Sequence, residues 1–458
     1  MQTPFRVAVI GAGPSGLYTA AALVSTGTPV AVDVFDRLPA PFGLVRYGVA
    51  PDHLRTKSVT RALQRPFMES SGVRFLGHVP VGPAGLSAEV LREHYHAVVW
   101  ASGSISDRGL GIDGETLEGS HGSGEFVSWY SGHPDHIAVR PDLAHSGAVV
   151  VGAGNVALDI ARILVRSPGE LASTDVPDDV LELLRRSEVS DVHIVVRRGP
   201  EHVKFTSPEL RQLGALEGVD VIVEDRHVIA SVDAGALERR QAQNLAILGS
   251  WADSTVPARD PGRRRVHLHF LRTPRRLVGQ GGRVVGLVVE RTEVRDGRLV
   301  GTGEEELIHA GLVVRAIGYR SEPIDGLPHD PIRGIVPNVG GRVVDGDRTL
   351  TGCYVTGWLK RGPTGVIGTN KACGEETAGA VLSDLGALPA AVEPDPEAID
   401  RRLAELGIVP VVWTDWQRLD DAEVGLGRTR GGAERVKIAH IDAMLAAARG
   451  TEAAVPAE

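Results

Sequence analysis

The N-terminal part of the chain alternates between apolar runs and glycine-rich turns. Val7–Ile10 is a short apolar run of the kind that forms a buried parallel strand, and Gly11–Gly16 follows it as a glycine turn. Leu17–Leu23 is an Ala-rich helical stretch, and Ala31–Phe35 is a second strand-like run that leads into Asp36. The order strand, turn, helix, strand predicts a mononucleotide-binding βαβ unit.

The same pattern returns near the middle of the chain. Ala148–Val151 is apolar, Gly152–Gly154 forms a glycine turn, and Val156–Val165 has helical periodicity. His193–Val196 is a further strand-like run, and Arg197 and Arg198 follow it directly. Two such units in one chain predict two bound nucleotides.

Two more apolar runs indicate how the chain divides into domains. Ala97–Ala101 and Leu312–Ile317 are strand-like, and we interpret them as the places where the chain leaves and re-enters a first domain. The predicted organisation is one domain at 1–105 and 325–458, with a second domain at 106–324 inserted into it. The expected fold class is α/β with two Rossmann-like dinucleotide-binding domains. In the tail, Ala433–Arg449 is predicted to be helical.

Composition narrows the functional class. The chain has 458 residues with 42% hydrophobic and 23% charged, which suits a globular protein of two or three domains. Its formal net charge of -9 argues against a nucleic-acid-binding protein, which normally carries a strongly basic domain. No apolar run approaches the ~18 residues of a membrane span, and no signal peptide is apparent. We therefore expect a cytoplasmic protein without an integral membrane segment.

Cysteine usage excludes several kinds of site. The chain contains only Cys353 and Cys373, which lie twenty residues apart and form no C-x-x-C motif. Two cysteines are too few for a disulfide framework, a four-cysteine zinc site or an iron–sulfur cluster. We expect plain thiols and no metal site.

The first glycine turn fits the G-x-G-x-x-G dinucleotide motif. Gly11 would permit the tight turn, Gly13 would let a pyrophosphate approach the backbone, and Gly16 would allow close packing of helix on strand. The N-terminus of the following helix supplies positive potential for phosphate. Asp36, 25 residues after Gly11, stands where an acidic residue binds ribose hydroxyls.

The second turn fits G-x-G-x-x-A and is followed by basic residues instead of an acid. Gly152, Gly154 and Ala157 occupy the three motif positions. Arg197 and Arg198 then end the later strand, where guanidinium groups can bind a phosphate bidentately. This arrangement favours NADP(H) over NAD(H).

Eight stretches, in this order, carry a resemblance to a known family: Ile10–Ser15, Leu38–His53, Phe126–His133, Val151–Arg162, Arg197–Pro200, Phe205–Leu213, Val314–Tyr319 and Gly357–Lys371. Together they resemble the adrenodoxin-reductase-like NADPH–ferredoxin reductases. The resemblance runs from residue 5 to about residue 375, and the tail from about 387 resembles the family more loosely. Several long motifs together are more specific than either glycine turn alone.

The resemblance implies FAD in the first domain, NADPH in the inserted domain, and hydride transfer from NADPH to flavin N5. Electrons would then pass singly to a ferredoxin and onward to an acceptor such as a cytochrome P450. The implied FAD residues are Gly11, Gly13, Ser15, Gly16, Asp36, Leu44, Val81, Trp358, Gly365, Val366 and Ile367. The implied NADP residues are Arg108, Ala153, Gly154, Asn155, Val156, Arg197, Arg198, Glu209 and Gly365.

One position departs from the family pattern. Glu209-Leu210-Arg211-Gln212 stands where the family has a second glutamate at the fourth position, and that glutamate is thought to pair with the histidine matching His53. Gln212 can hydrogen-bond His53 but cannot stabilise its charged form by an ion pair. His53 and Gln212 are therefore the candidate catalytic residues, near the place where nicotinamide meets flavin.

Four other classes of protein share parts of this pattern. A thioredoxin-reductase-like enzyme needs a redox C-x-x-C, and a glutamate-synthase small subunit needs N-terminal cysteine clusters; the chain has neither. A flavin monooxygenase shares the paired glycine turns, and a non-catalytic nucleotide sensor is also compatible with them.

Ferredoxins are usually acidic, so docking would use a basic patch. The arginine clusters 239–240, 263–265 and 275–276 are the candidates.

Overall fold

The chain folds as two compact units in a computed structural model that describes residues 4–70, 72–104, 106–255 and 258–451. Unit 1 comprises Met1–Ser106 and Tyr319–Glu458, and unit 2 comprises Asp107–Gly318.

The elements are numbered in chain order. The strands are β1 Phe5–Ile10, β2 Val30–Phe35, β3 Val73–Leu76, β4 Ala97–Trp100, β5 Ser106–Asp107, β6 Ser120–Gly122, β7 Gly147–Val151, β8 Asp191–Val195, β9 Val219–Val223, β10 Arg264–His269, β11 Arg272–Gln280, β12 Arg283–Arg295, β13 Arg298–His309, β14 Leu312–Arg315, β15 Tyr319–Arg320, β16 Asn338–Val339, β17 Arg342–Asp345 and β18 Arg348–Val355. The α-helices are α1 Pro14–Val24, α2 Leu44–Tyr47, α3 Leu54–Lys57, α4 Thr60–Leu63, α5 Arg65–Glu69, α6 Ala88–His94, α7 Ser123–Tyr130, α8 Asn155–Val165, α9 Pro168–Leu171, α10 Asp178–Arg185, α11 Ser207–Gly214, α12 Arg226–Ala230, α13 Arg239–Ala252, α14 Trp358–Arg361, α15 Thr369–Asp384, α16 Ala398–Glu405, α17 Trp413–Arg430 and α18 Ile441–Arg449.

Unit 1 is built on a seven-stranded sheet in the order β16-β17-β18-β4-β1-β2-β3. The pairs from β18 to β3 are parallel. Val7 and Val9 enter the core on one face of the sheet, while Ala8 and Ile10 enter the core on the other. Because both faces are covered, β1 needs a continuous apolar run instead of an alternating one.

Unit 2 contains a six-stranded sheet in the order β6-β14-β7-β8-β10-β9, and all of its pairs are parallel. A separate antiparallel sheet, β11-β12-β13, packs Leu277, Leu287 and Ile308 with residues of β7 and β8. Asp296 and Gly297 join β12 to β13 with φ of 50° and 73°, the conformation that favours Asp-Gly in a two-residue hairpin turn.

Two mainly parallel sheets with their crossover helices confirm the predicted α/β class with two Rossmann-like folds. The predicted helices at Leu17–Leu23 and Val156–Val165 lie within α1 and α8.

The helix predicted over Ala433–Arg449 is wrong in its first half, because helix α18 begins only at Ile441. Before that point the backbone bonds to α17 instead of to itself: Val436 N–H donates to the carbonyl oxygen of Glu423, and Ile438 N–H donates to its carboxylate. Helix α17 itself was not predicted.

Both cysteines are buried free thiols, and burial raises the pKa of Cys353 to about 11, which keeps it protonated and unreactive. Among the described residues, no helix is both long enough and apolar enough to cross a membrane.

Candidate functional site

The first glycine turn lies at the carboxyl end of β1 in unit 1. Gly11 has φ of 114°, and a Cβ placed on it would lie 2.6 Å from the carbonyl oxygen of Ala101. A Cβ on Gly16 would lie 2.0 Å from the carbonyl oxygen of Gly11, so α1 packs directly on the turn. A Cβ on Gly13 would meet only the Cα of Gly43, at 4.0 Å. The fold therefore fills the space beside the first and third glycines and leaves the second accessible, as a pyrophosphate requires.

Helix α1 begins at Pro14 with Gly13 as its N-cap, and no side chain caps its first amide groups. These N–H groups and the helix dipole together favour an anion at this end. Ser15 is buried beneath Gly357, whose hypothetical Cβ would lie 2.4 Å from the Ser15 hydroxyl. The turn is therefore in contact with the segment that opens α14.

Asp36 follows β2 and lies against the turn. Its carboxylate accepts hydrogen bonds from the N–H groups of Ala12, at 2.8 Å, and Leu38, at 3.0 Å. Burial raises the pKa of Asp36 above its ordinary value, and these two hydrogen bonds oppose that shift. A carboxylate has about four acceptor positions, so two remain for ribose hydroxyls.

The remaining predicted residues in the first half of unit 1 are Leu44 and Val81, proposed for FAD, and the candidate catalytic residue His53. Leu44 opens α2 directly after Gly43 and is 37% exposed. Val81 is half-buried and forms an isolated bridge with Leu86. His53 is the N-cap residue of α3 and is half-buried.

The segment from Trp358 to α15 presents backbone and ring surface. Trp358 stacks on Tyr319, with ring centroids 5.9 Å apart. Gly365 has φ of 87°, and Val366, 68% exposed, donates its N–H to the Thr369 hydroxyl. Ile367 is half-buried beside it. Helix α15 then starts without a side-chain cap, so its positive end is available to a negatively charged group.

The second glycine turn, in unit 2, repeats the geometry of the first. A Cβ on Gly152 would lie 2.4 Å from the carbonyl oxygen of Ala316, whereas one on Gly154 would meet nothing within 4 Å. Ala157 at the third position is fully buried. Helix α8 begins here with Gly154 as an uncapped N-cap. The turn is therefore open at the same position as in unit 1.

Neighbouring segments hold this second turn in place. Asn155 accepts a hydrogen bond from the N–H of Thr206 at 2.8 Å, and the carbonyl oxygen of Ala153 accepts one from Lys204 at 2.7 Å. Val156 continues the helix and is half-buried.

The predicted basic residues of unit 2 are exposed. Arg197 and Arg198 lie just past the carboxyl end of β8, on the same side of the sheet as the glycine turn. Arg108 is also exposed, and its N–H donates to Gly318. Arg197 and Arg198 therefore lie at the carboxyl ends of the strands, where parallel sheets bind their ligands.

Sequence reasoning missed a buried arginine beside Glu209. Arg162 is 1% exposed on α8, and its guanidinium lies 2.9 Å from Asp159 and 3.6 Å from Glu209. Glu209 therefore also has a structural partner. Gln212 lies three residues further along α11 and is exposed. An arginine on the apolar face of α8 was the available signal, since a buried guanidinium requires carboxylates.

Comparison with known proteins agrees with this geometry. A protein-family model described as an NAD(P)-binding Rossmann-like domain matches residues 9–67. The NADPH-ferredoxin reductase FprA of Mycobacterium tuberculosis is 41% identical over 460 residues, covering 96% of this chain and 98% of the relative. The mitochondrial NADPH:adrenodoxin oxidoreductase of Arabidopsis thaliana is 38% identical over 465 residues, covering 97% and 95%.

A solved structure supports the same relation. The structure of Mycobacterium tuberculosis FprA in complex with NADPH superimposes with a TM-score of 0.90 at 40% identity, covering 98% of this chain and all of that one. Full-length relatives at this identity confirm the resemblance inferred from the motifs. The chain belongs to the family of FAD-dependent NADPH–ferredoxin reductases related to adrenodoxin reductase.

Proposed function

We propose that this chain is an NADPH:ferredoxin oxidoreductase that binds FAD in unit 1 and NADP(H) in unit 2. One observation carries this assignment. Each unit has a parallel sheet whose glycine turn is open only at its second glycine, Gly13 or Gly154. Asp36 follows the second strand of the first, whereas Arg197 and Arg198 follow the corresponding strand of the second. An acid suits free ribose hydroxyls, and arginines suit a 2′-phosphate.

The residues of unit 1 fit FAD. Gly11, Gly13, Ser15 and Gly16 would receive the pyrophosphate at the start of α1, and Asp36 would accept the ribose hydroxyls. When bound, FAD accepts a hydride from NADPH and returns the electrons singly. The uncapped start of α15 would stabilise negative charge near the ring, with Gly365, Val366 and Ile367 beside it. Leu44, Val81 and Trp358 would complete the pocket.

The residues of unit 2 fit NADP(H). Ala153, Gly154, Asn155 and Val156 would hold the pyrophosphate with their backbone, because the face beside Gly154 is open. Arg197 and Arg198 would bind the 2′-phosphate with charge-assisted hydrogen bonds. Arg108 and Glu209 would also contact the nucleotide. These contacts orient the cofactor, and positioning of the reacting groups can lower a reaction barrier by about 7–11 kcal/mol.

His53 and Gln212 are the residues we propose near the nicotinamide. A glutamine can orient the imidazole through a hydrogen bond, but it provides no negative charge to stabilise the imidazolium.

The test is anaerobic mixing of the purified protein with NADPH and, separately, with NADH. We expect the flavin absorbance to bleach rapidly with NADPH and slowly with NADH. A colourless protein, or a flavin that neither nucleotide bleaches, would instead indicate a nucleotide sensor. A long-lived oxygen adduct of the flavin, or oxygen insertion into a substrate, would indicate a monooxygenase.

The proposed electron acceptor is a small acidic ferredoxin, with a cytochrome P450 as a terminal acceptor. Most of the candidate docking arginines already have partners. Arg263 pairs with Asp220, Arg275 with Glu290, and Arg276 with Glu305. Arg264 donates to the carbonyl oxygens of Leu164 and Arg166.

Arg239 and Arg240, exposed at the start of α13, are therefore the docking residues that we propose. Reversing both charges should raise KM for ferredoxin at low salt and weaken its salt dependence, while NADPH bleaching of the flavin stays unchanged. A KM for ferredoxin that changes neither with salt concentration nor on charge reversal would exclude docking at this site.

We also propose a cytoplasmic location. The free thiols Cys353 and Cys373 are consistent with a reducing compartment.

A further inference from the structure

The C-terminal part of unit 1 packs on a segment far away in sequence. We call Phe42–Gly48, which contains the short helix α2, the flavin loop, because it comes after β2 and Asp36 and includes the proposed FAD residue Leu44. The Phe42 ring meets Trp416 of α17 edge to face at 5.8 Å. The Arg46 guanidinium lies over the same tryptophan at 5.3 Å. Helix α17 therefore contacts the flavin loop through a buried aromatic side chain.

A buried ion pair connects the same two segments. Glu423 of α17 has no exposed surface, and the Arg46 side chain is 4% exposed. Both Arg46 terminal nitrogens donate to the Glu423 carboxylate, one of them at 2.9 Å. Burial lowers the pKa of Arg46, and the adjacent carboxylate outweighs that effect, so the pKa lies above its ordinary value. A bidentate pair of this kind is geometrically specific.

Two further contacts complete the connection. Ile438 N–H donates to the Glu423 carboxylate at 2.9 Å, and the Lys437 ammonium donates to the Arg46 carbonyl oxygen at 2.8 Å. Lys437 is itself buried. We call Arg46, Glu423 and Lys437 the tail clasp. It fixes both the side chain and the backbone of the flavin loop at Arg46.

The opposite side of the flavin loop lies on the first glycine turn. Phe42 N–H donates to the carbonyl oxygen of Ala12 at 2.8 Å. A Cβ on Gly43 would lie 3.0 Å from the Cα of Gly13, so the two backbones are close. Phe42 has φ of 81°, a conformation that a bulky residue keeps only where its surroundings fix it. The flavin loop thus lies between the glycine turn and the tail clasp.

We propose that Glu423 is a positioning residue for the flavin site: acting through Arg46, it holds the flavin loop against the glycine turn and so retains FAD. This inference rests on the proposed function, which assigns FAD to that turn. If Glu423 contributed only to overall stability, a substitution there would accelerate FAD release only in proportion to the decrease in Tm. Retention and stability must therefore be measured separately.

The experiment compares Glu423→Gln with Asp384→Asn in the full-length holoprotein. Asp384 forms an ion pair with Arg342 at 2.7 Å and accepts a hydrogen bond from Tyr354, also in unit 1. Asp384 is the last residue of the 16-residue helix α15, whose first residue, Thr369, is at the proposed flavin end. Asp384 therefore lies ~22 Å along the helix from that end. Flavin release is followed by the rise in free-flavin fluorescence, and Tm by circular dichroism. Rates are compared at temperatures equally far below each Tm.

We expect Glu423→Gln to release FAD about tenfold faster than the wild type, equivalent to ~1.4 kcal/mol, with Asp384→Asn at the wild-type rate. Lys437→Met leaves the ion pair intact and should accelerate release by a smaller factor. If Glu423→Gln does not fold, Lys437→Met and Glu423→Asp provide the comparison.

Two results would overturn the proposal. Release at the wild-type rate in the clasp variants would do so, as would equal acceleration in Asp384→Asn. A wild-type protein that binds no flavin would instead refute the proposed function.

Discussion

Two histidines on adjacent parallel strands, His193 and His269, make the stability of unit 2 sensitive to acid. His193 on β8 and His267 on β10 stack with ring centroids 4.5 Å apart, and His193 Nδ1 lies 3.0 Å from His269 Nε2. Burial, with a smaller effect from the nearby His267, lowers the pKa of His193 to about 4. Burial, reinforced by His193, lowers the pKa of His269 to about 3. Both imidazoles are therefore neutral in the folded protein at neutral pH.

The carboxylates beside this cluster, Glu224 and Asp191, titrate below the pH range from about 7.5 to about 5 that concerns the histidines. His267 bonds to Glu224 at 2.6 Å and to Asp191 at 3.1 Å, and Asp191 also pairs with Arg259. The pKa of Glu224 is lowered chiefly by its hydrogen bond with His267. The pKa of Asp191 is also lowered: burial acts to raise it, and hydrogen bonds from Arg259, Ser190 and His267 outweigh that effect. These carboxylates stay ionised down to about pH 5.

The sign and size of the effect follow from the two lowered pKa values. Well above pH 6.5, His193 and His269 are neutral in both the folded and the unfolded state, so they do not make stability depend on pH. Between pH 6.5 and the folded-state pKa values, the unfolded chain binds protons that the folded chain does not. The free energy of unfolding therefore decreases as the pH is lowered. At pH 5 each histidine lowers the free energy of unfolding by about 2 kcal/mol, or about 4 kcal/mol together.

The perturbation is His193→Phe combined with His269→Phe, which keeps two flat rings but removes both titrating groups. Hydrogen exchange of peptides from β8 and β10, followed across a urea series at about pH 7.5 and about pH 5, reports the unfolding of unit 2 itself. The variant should lose about 4 kcal/mol less than the wild type between these pH values. The exposed His202 of unit 2, replaced by Phe, is the control. Equal losses in wild type and double variant would refute the reasoning.

Four further substitutions test the nucleotide sites. Gly154→Ala adds a methyl group that meets no protein atom within 4 Å, so KM for NADPH should rise at least about tenfold at unchanged Tm. Gly152→Ala places its Cβ 2.4 Å from a backbone oxygen and should lower Tm. A lower Tm in Gly154→Ala together with an unchanged Tm in Gly152→Ala would contradict the assignment of the turn. Arg198→Ala should reduce the preference for NADPH over NADH about tenfold in kcat/KM, and an unchanged preference would exclude that residue from the 2′-phosphate site. Gln212→Glu should steepen the pH dependence of flavin reduction between about pH 6 and 8, and an unchanged profile would mean that His53 does not respond to this position.

The parts of the fold that depend on local sequence could be predicted, and the parts that depend on distant contacts could not. The glycine turns were predictable because Gly11 has a left-handed φ and because other backbone atoms approach both Gly11 and Gly152 too closely for a side chain. The apolar strands were predictable because both faces of each parallel sheet are buried. Neither pattern indicates that Arg162 is buried between carboxylates, since that depends on how α8 packs against α11.

The tail shows the same limit most clearly. Glu423 stands in a helix that is rich in aspartate and arginine, so its sequence surroundings favour an exposed position. It is instead fully buried, because Arg46, 377 residues earlier, and Arg435, at 3.5 Å, supply the positive charge that makes its burial tolerable.

That pairing also explains why the segment before α18 is not helical. Helix formation there would take the Ile438 N–H away from the Glu423 carboxylate and leave one of its hydrogen-bonding positions unsatisfied inside the protein. Removing a hydrogen-bond donor from a buried carboxylate raises the free energy of the folded state by more than one additional turn of helix lowers it. The local helical preference of Ala433–His440 is therefore overridden by a contact that also fixes the loop beside the proposed flavin site.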